Sequence, residues 1–164
     1  MDSLQHGLGH ATGLKPDVNT KDAGGSGGKD FYLTNGKHVV TKVKVWTDTG
    51  SGDWKDRDLV KDIEVTFDDG MTAHVTGNQT GNSSDLEFGE KEKVASMVFR
   101  TGARVDKVYF KTDLDNELSQ GTENGSPHDQ NVGNGVLLGF HGRWDETNKE
   151  LIALGSRFQD KNKK

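Results

Sequence analysis

The chain has 164 residues, about one domain's worth and too few for two substantial cores. Only 30% of them are hydrophobic and 22 are glycine against two proline, a lean core that suits turn-rich strand folds. A formal charge of -5 argues against nucleic acid as a partner and against an anionic membrane, and the lack of cysteine excludes disulfides, thiolate metal sites and a cysteine nucleophile.

In chain order, residues 1–20 carry little apolar periodicity and several breakers (Gly7, Gly9, Gly13, Pro16), so a flexible N-terminal arm is expected there. His6-Gly-Leu-Gly-His10 has metal-like spacing, but with no carboxylate nearby it reads as a solvated segment. Met1 to Leu14 lacks a basic region followed by an apolar core, and no later stretch approaches the roughly 18 apolar residues of a membrane span. The expectation is a protein that does not insert in membranes, cytoplasmic or exported without a visible signal.

Two glycine-rich clusters stand at opposite ends of the remaining chain: Gly24-Gly-Ser-Gly-Gly28, followed by Phe31, and Gly139-Phe-His-Gly-Arg143. Glycine at that density lets backbone approach a ligand or another strand where a Cβ would clash. A fold that joins its ends would make one site of the two.

Between them the hydrophobic period is two. Val39, Thr41, Val43 and Val45 alternate with Lys42 and Lys44, and Ile63, Val65 and Phe67 alternate with Asp62, Glu64 and Thr66. Asp68-Asp69-Gly70 reads as a hairpin turn into residues 71–75, since Asp-Gly suits positive φ. Further strands are predicted over 94–100, 104–111, 136–142 and 151–158, and no segment has a helical stripe of several turns. Phe31, Phe67, Phe99, Phe110, Phe140 and Phe158 are assigned to the core. The class is all-β: sandwich, barrel or prism.

The order Asp22-Ala-Gly-Gly-Ser-Gly-Gly-Lys-Asp-Phe31, Ile63-Glu-Val65, Val108-Tyr-Phe-Lys-Thr112, Gly139-Phe-His-Gly-Arg143, Leu151-Ile-Ala-Leu-Gly155 and Phe158 resembles the jacalin-related lectins over residues 22–158. The resemblance implies a β-prism, three antiparallel four-stranded sheets about a pseudo-three-fold axis, occupying residues 21–160 before a charged tail at 161–164. It also implies a metal-free sugar site made by the first-strand glycine, here Gly28 beside Gly27, and the loop between the last two strands, here 142–150. The family has an Asp after the Leu of the last strand; here Ile152 follows Leu151.

Sugar hydroxyls want carboxylate or carbonyl acceptors and N–H donors, and the apolar sugar face wants an aromatic. Arg143, Trp144, Asp145 and Asn148 offer these, and Glu150 lies at the loop's end. The plainer readings are Trp144 as a cap on the prism end, Arg143 as an exposed ion pair with Asp145 or Glu146, and Gly27–Gly28 as a tight bend. Residues 77–84 and 121–126 are polar, glycine-rich loops that read as secondary subsites or as connections.

No carboxylate pair, nucleophile motif or phosphate loop stands out, and Asp113-Leu-Asp115-Asn116 is only half a calcium loop. The expectation is a non-enzymatic lectin without cofactor or metal. Its partners would be glycans or glycoproteins, and a homodimer is expected because shallow sites gain from multivalency. The alternative is a protein-interaction or targeting module whose sugar site has degenerated.

Overall fold

The structure, a computed structural model, describes residues 17–161. His6, His10, most of the expected arm and residues 162–164 of the tail lie outside the described residues. From residue 18 onward the chain is strand: β1 (Val18–Asn19), β2 (Ala23–Gly24), β3 (Lys29–Leu33), β4 (Val40–Thr49), β5 (Asp58–Phe67), β6 (Thr72–His74), β7 (Asn82–Glu87), β8 (Val94–Thr101), β9 (Val105–Thr112), β10 (Glu117–Gly121), β11 (Ser126–Asp129), β12 (Leu137–Asp145) and β13 (Glu150–Phe158). Among the described residues, one 3₁₀ turn is present, at Gly52–Trp54. Among the described residues no helix is long and apolar enough to cross a membrane.

The strands form three antiparallel sheets. The first has β12 and β13 at its centre, with β3 beyond β12 and both β1 and β2 along the outer edge of β13; the second runs β6-β5-β4-β7 and the third β10-β9-β8-β11. The first and last strands of the chain thus share one sheet, which brings the two glycine clusters together: Gly142 pairs with Phe31 and Ala153 with Gly24.

The three sheets repeat one design. In each, the central hairpin carries two bulges, and a bulge adds one residue to one strand and increases the local twist. On the first strand of the hairpin the extra residues are Thr41, Ala95 and Leu138; on the second strand they are Lys61, Asp106 and Ile152. This is the pseudo-three-fold β-prism expected above. It also explains one departure from simple alternation: the extra residue at Thr41 turns Val40 inward in place of Val39 and Thr41, while Val43 and Val45 stay buried.

The inward faces close on one core. Val43, Val45, Ile63, Val65, Phe99, Val108, Phe110, Phe140, Leu154 and Phe158 have no accessible surface, and Phe31 and Phe67 are also buried. Each fully buried aliphatic or aromatic side chain contributes about 1.5–3 kcal/mol. The Asp68-Asp69-Gly70 turn forms as expected, with the Phe67 N–H donating to Met71 O at 2.8 Å and Gly70 at φ +86°. Asp62 does not face outward with Glu64 and Thr66. It is fully buried, and its carboxylate accepts from the N–H groups of Ile63, Val75, Thr76 and Gly77 and from Gln79 Nε2.

Candidate functional site

Three hairpin turns converge at one end of the prism: residues 50–57 between β4 and β5, 102–104 between β8 and β9, and 146–149 between β12 and β13. Residues 24–28 run across the same end, where the Gly25 N–H donates to Ile152 O at 3.1 Å. Upstream, Asp22 Oδ1 lies 2.5 Å from His141 Nδ1, tying this segment to β12.

Gly27 and Gly28 are exposed, with φ of +91° and +71°. At Gly28 only glycine fits: besides the left-handed backbone, a Cβ would lie 2.3 Å from Trp144 O and 2.5 Å from Ile152 Cδ1. Arg143 then fixes this backbone from the neighbouring strand. Its Nε donates to Gly27 O at 2.6 Å, Nη2 to Gly28 O at 2.9 Å and Nη1 to Asp30 Oδ1 at 2.6 Å. The sequence offered Asp145 or Glu146 as its partner; instead Asp30 pairs with it, and Glu146 faces Lys29 at 3.7 Å.

The last loop is shorter than the expected 142–150. Arg143, Trp144 and Asp145 still belong to β12, paired with Ala153, Leu151 and Glu150, so the free turn is 146–149. Asp145 organises it: Oδ1 accepts from the N–H groups of Thr147 (2.9 Å) and Asn148 (3.1 Å), and Oδ2 accepts from Asn148 Nδ2 at 3.0 Å. Burial pulls this carboxyl's pKa up, but the Asn148 and Thr147 donors and the Arg104 charge outweigh it and hold it below the ordinary value. Trp144 is half-buried against the core, with Lys149 Nζ 5.7 Å from its ring centre.

Beneath the turn lies an ion cluster that joins the first two sheets to the turn entering the third. Glu150, fully buried on β13, meets Lys61 Nζ of β5 at 2.8 Å and Arg104 Nε, just before β9, at 3.1 Å, and Ser51 Oγ at 3.2 Å. Arg104 also reaches Asp145 Oδ2 at 3.4 Å and stacks on Trp54 at 4.3 Å. Asn78 Nδ2 donates to Lys149 O at 3.0 Å, adding the 77–81 loop to the rim.

All six expected site residues, Gly27, Gly28, Arg143, Trp144, Asp145 and Asn148, therefore lie at this end. The polar groups of Arg143 and Asp145 are spent on protein partners, most of them backbone atoms, with Asp30, Asn148 Nδ2 and Arg104 as the side-chain ones. Sequence reasoning missed Lys61, Arg104, Glu150 as an ion pair and Lys149, whose contacts join residues tens of positions apart. Ile152 is 3% exposed and packs beside Gly28, so no carboxylate stands at that bulge. Among the described residues, one group could hold a metal: His38, Asp68 and Asp69, all exposed, with His38 Nδ1 2.6 Å from Asp68 Oδ1 and Nε2 3.7 Å from Asp69 Oδ2. That group lies at the opposite end of β4 and β5.

The family model of the Jacalin-like lectin domain matches residues 20–156. The chain belongs to that family. No curated protein matches it significantly. Among solved structures it is similar to a lamprey immune protein at 21% identity and a TM-score of 0.73, covering 90% of this chain and 45% of that one. A Malaysian banana lectin aligns at 21% identity and 0.67, covering 88% and 99%. A mannose binding jacalin related lectin from Ananas comosus aligns at 20% identity and 0.68, covering 87% and 98%. At these identities the neighbours show the shared fold.

Proposed function

We propose that the chain is a non-enzymatic, carbohydrate-binding lectin that recognises glycans without a metal, at the prism end where Gly27–Gly28 meets the 146–149 turn. One observation carries this reading: Arg143 clamps the Gly27 and Gly28 carbonyls from the adjacent strand, presenting bare, exposed backbone beside a turn already set by Asp145. Preorganised backbone suits a weakly held polyol, because little ordering cost remains to be met on binding. In this site Arg143 and Asp145 position, and the exposed Gly27–Gly28 backbone and the amide oxygen of Asn148 meet sugar hydroxyls. Trp144 offers an apolar edge once Lys149 moves off its ring. Family membership, and neighbours described as lectins, one of them as mannose binding, support the choice of ligand class. Weak single sites favour an assembly that presents several, so a homodimer is part of the proposal.

The test is a multivalent glycan array read with and without EDTA, on wild type, Gly28→Ala and Asn148→Ala. Chelator-insensitive binding lost in both variants fits the proposal; binding that needs a divalent ion contradicts its metal-free part. A second reading has one observation in its favour: Ile152 fills the bulge beside Gly28 with an apolar side chain. That suits a protein-interaction module on the same scaffold, for which a folded protein would stay silent on the array.

A further inference from the structure

We propose that the far end of the prism, opposite the Gly27–Gly28 end, holds a binding site of another kind: an apolar crevice with two lysines at its mouth that takes a small aryl carboxylate. The inference goes beyond the lectin reading and does not depend on it.

The bulges leave apolar side chains outside the core at this end. The first strand of each central hairpin begins here, and register aligns Leu137 of β12, Val40 of β4 and Val94 of β8, each buried and each one position before a bulge residue. The residue before each of these lies outside the core. In the first two sheets it is Val136 and Val39, both only partly buried. Together with Phe88 and Leu137 they line a cavity of about 220 Å³. Phe88 is set in place by stacking on Phe110, with ring centres 5.8 Å and planes 28° apart. The space is below the roughly 300–1,000 Å³ of pockets for drug-sized ligands, which suits a single ring with a short arm.

The third sheet breaks this apolar pattern with charge. Its counterpart of Val136 and Val39 is Lys93, which is exposed. Its backbone is held by Asp113, whose Oδ1 accepts from the Lys93 N–H at 3.0 Å and whose N–H donates to Lys93 O at 2.9 Å. A Cβ on Gly135 would lie 2.8 Å from Lys93 Cβ, so the lysine stem runs along the crevice wall. The turn before it carries a second cation at an uncommon backbone position. Lys91 has φ +64°, whereas the turns entering β4 and β12 use glycine in that conformation, Gly36 at +57° and Gly133 at +51°. A lysine bears a steric cost there that glycine does not, and residues held in this way cluster at ligand clamps.

Both lysines border the crevice, and among the described residues neither forms an ion pair. The one carboxylate in the lining, Glu92, is engaged: it accepts from the Gly89 N–H, Thr112 Oγ1 and Asn116 Nδ2. That leaves two unpaired cations over an apolar floor, in a chain whose formal charge is -5. The complement of such a surface is a small amphipathic anion. Its ring would cover Val39, Val136 and Phe88, and its carboxylate would meet the ammonium groups at the mouth.

The experiment is amide shift mapping of the full chain by NMR, titrated with phenylacetate and, separately, with phenylacetamide, which has nearly the same shape without the charge. The expected result is saturable movement of the 39–41, 88–93 and 135–137 amides, with 27–28 and 146–149 still. Phenylacetamide should bind about two- to tenfold more weakly, the range that two exposed ion pairs supply. Lys91→Gln/Lys93→Gln should lower the affinity for phenylacetate to that for phenylacetamide and leave the latter unchanged, which shows in the same titration that the variant is folded. Equal binding of the two probes by wild type, or movement centred on other amides, overturns the proposal. So does movement of the same amides on diluting the free protein while both probes leave them still, since a second copy would then fill the crevice. The sugar site is read independently, from the 27–28 and 146–149 amides with methyl α-mannoside, so either reading can fail without the other.

Discussion

Glu150→Ala should be the most damaging single change at the turn end of the prism. Glu150 has no accessible surface, the Lys61 side chain is 6% exposed and the Arg104 side chain 15%, so two cations depend on a carboxylate that water cannot replace. Removing one partner of a buried ion pair costs about 3–5 kcal/mol, largely because the remaining charge is stranded. For a domain of this size each kcal/mol is worth roughly 2–4 °C, which predicts a fall in Tm of about 6–20 °C. Urea denaturation followed by tryptophan fluorescence reads it directly, with Trp54 stacked on Arg104 as a local reporter. The double variant Lys61→Met/Glu150→Leu should recover part of the loss, since a well-packed apolar pair often equals a buried ion pair and Arg104 keeps Asp145 as a partner. A single-variant cost below about 1 kcal/mol would show that water reaches Lys61 and would refute the reasoning.

Gly28→Ala meets both a left-handed backbone and Trp144 O at 2.3 Å, so a stability loss of about 1–3 kcal/mol is expected by chemical denaturation, together with loss of glycan binding. Asp145→Ala leaves the Thr147 and Asn148 N–H groups without their acceptor and should cost about 1–2 kcal/mol. Because the Asp145 pKa is lowered on folding, its contribution is present above the unfolded value of about 3.9 and fades as pH falls toward the folded one, so the gap to the variant should narrow in acid. Asp106 has the opposite sign: its raised pKa makes the charged form a burden above that pKa. Asp106→Asn should therefore be more stable than wild type at neutral pH, with the difference closing in acid. Arg143→Lys keeps the charge but cannot bond two carbonyls and Asp30 in a plane, so glycan affinity should fall with little change in Tm.

The central strands were legible where one face packs inward: the alternation at Ile63, Val65 and Phe67 gives the second half of β5, while Leu59–Asp62, all buried, carry no such period. The edge strands were not. All four residues of β11, Ser126-Pro-His-Asp129, are exposed, so no apolar period marks it, and Pro127 is tolerated only because an edge strand has an N–H to spare. β7 and β10 each bury one residue, Leu86 and Leu118, too few to set a pattern. The ordered glycine and strand landmarks brought Gly28 beside the end of β12, but put the last loop at 142–150 where the free turn is 146–149. The roles of Arg143 and Asp145 were hidden because many of their partners are backbone atoms, which carry no residue identity, and because Asp30 and Arg104 lie far from them in sequence.

The most direct test of a glycan-binding prism end is a crystal structure of the full chain with the oligosaccharide that scores best on the array. The account predicts a sugar ring against the Gly27–Gly28 backbone and the 146–149 turn, with no metal between. Sugar seated instead at the far end, in the apolar crevice beside Phe88, Val136 and Leu137, would contradict it.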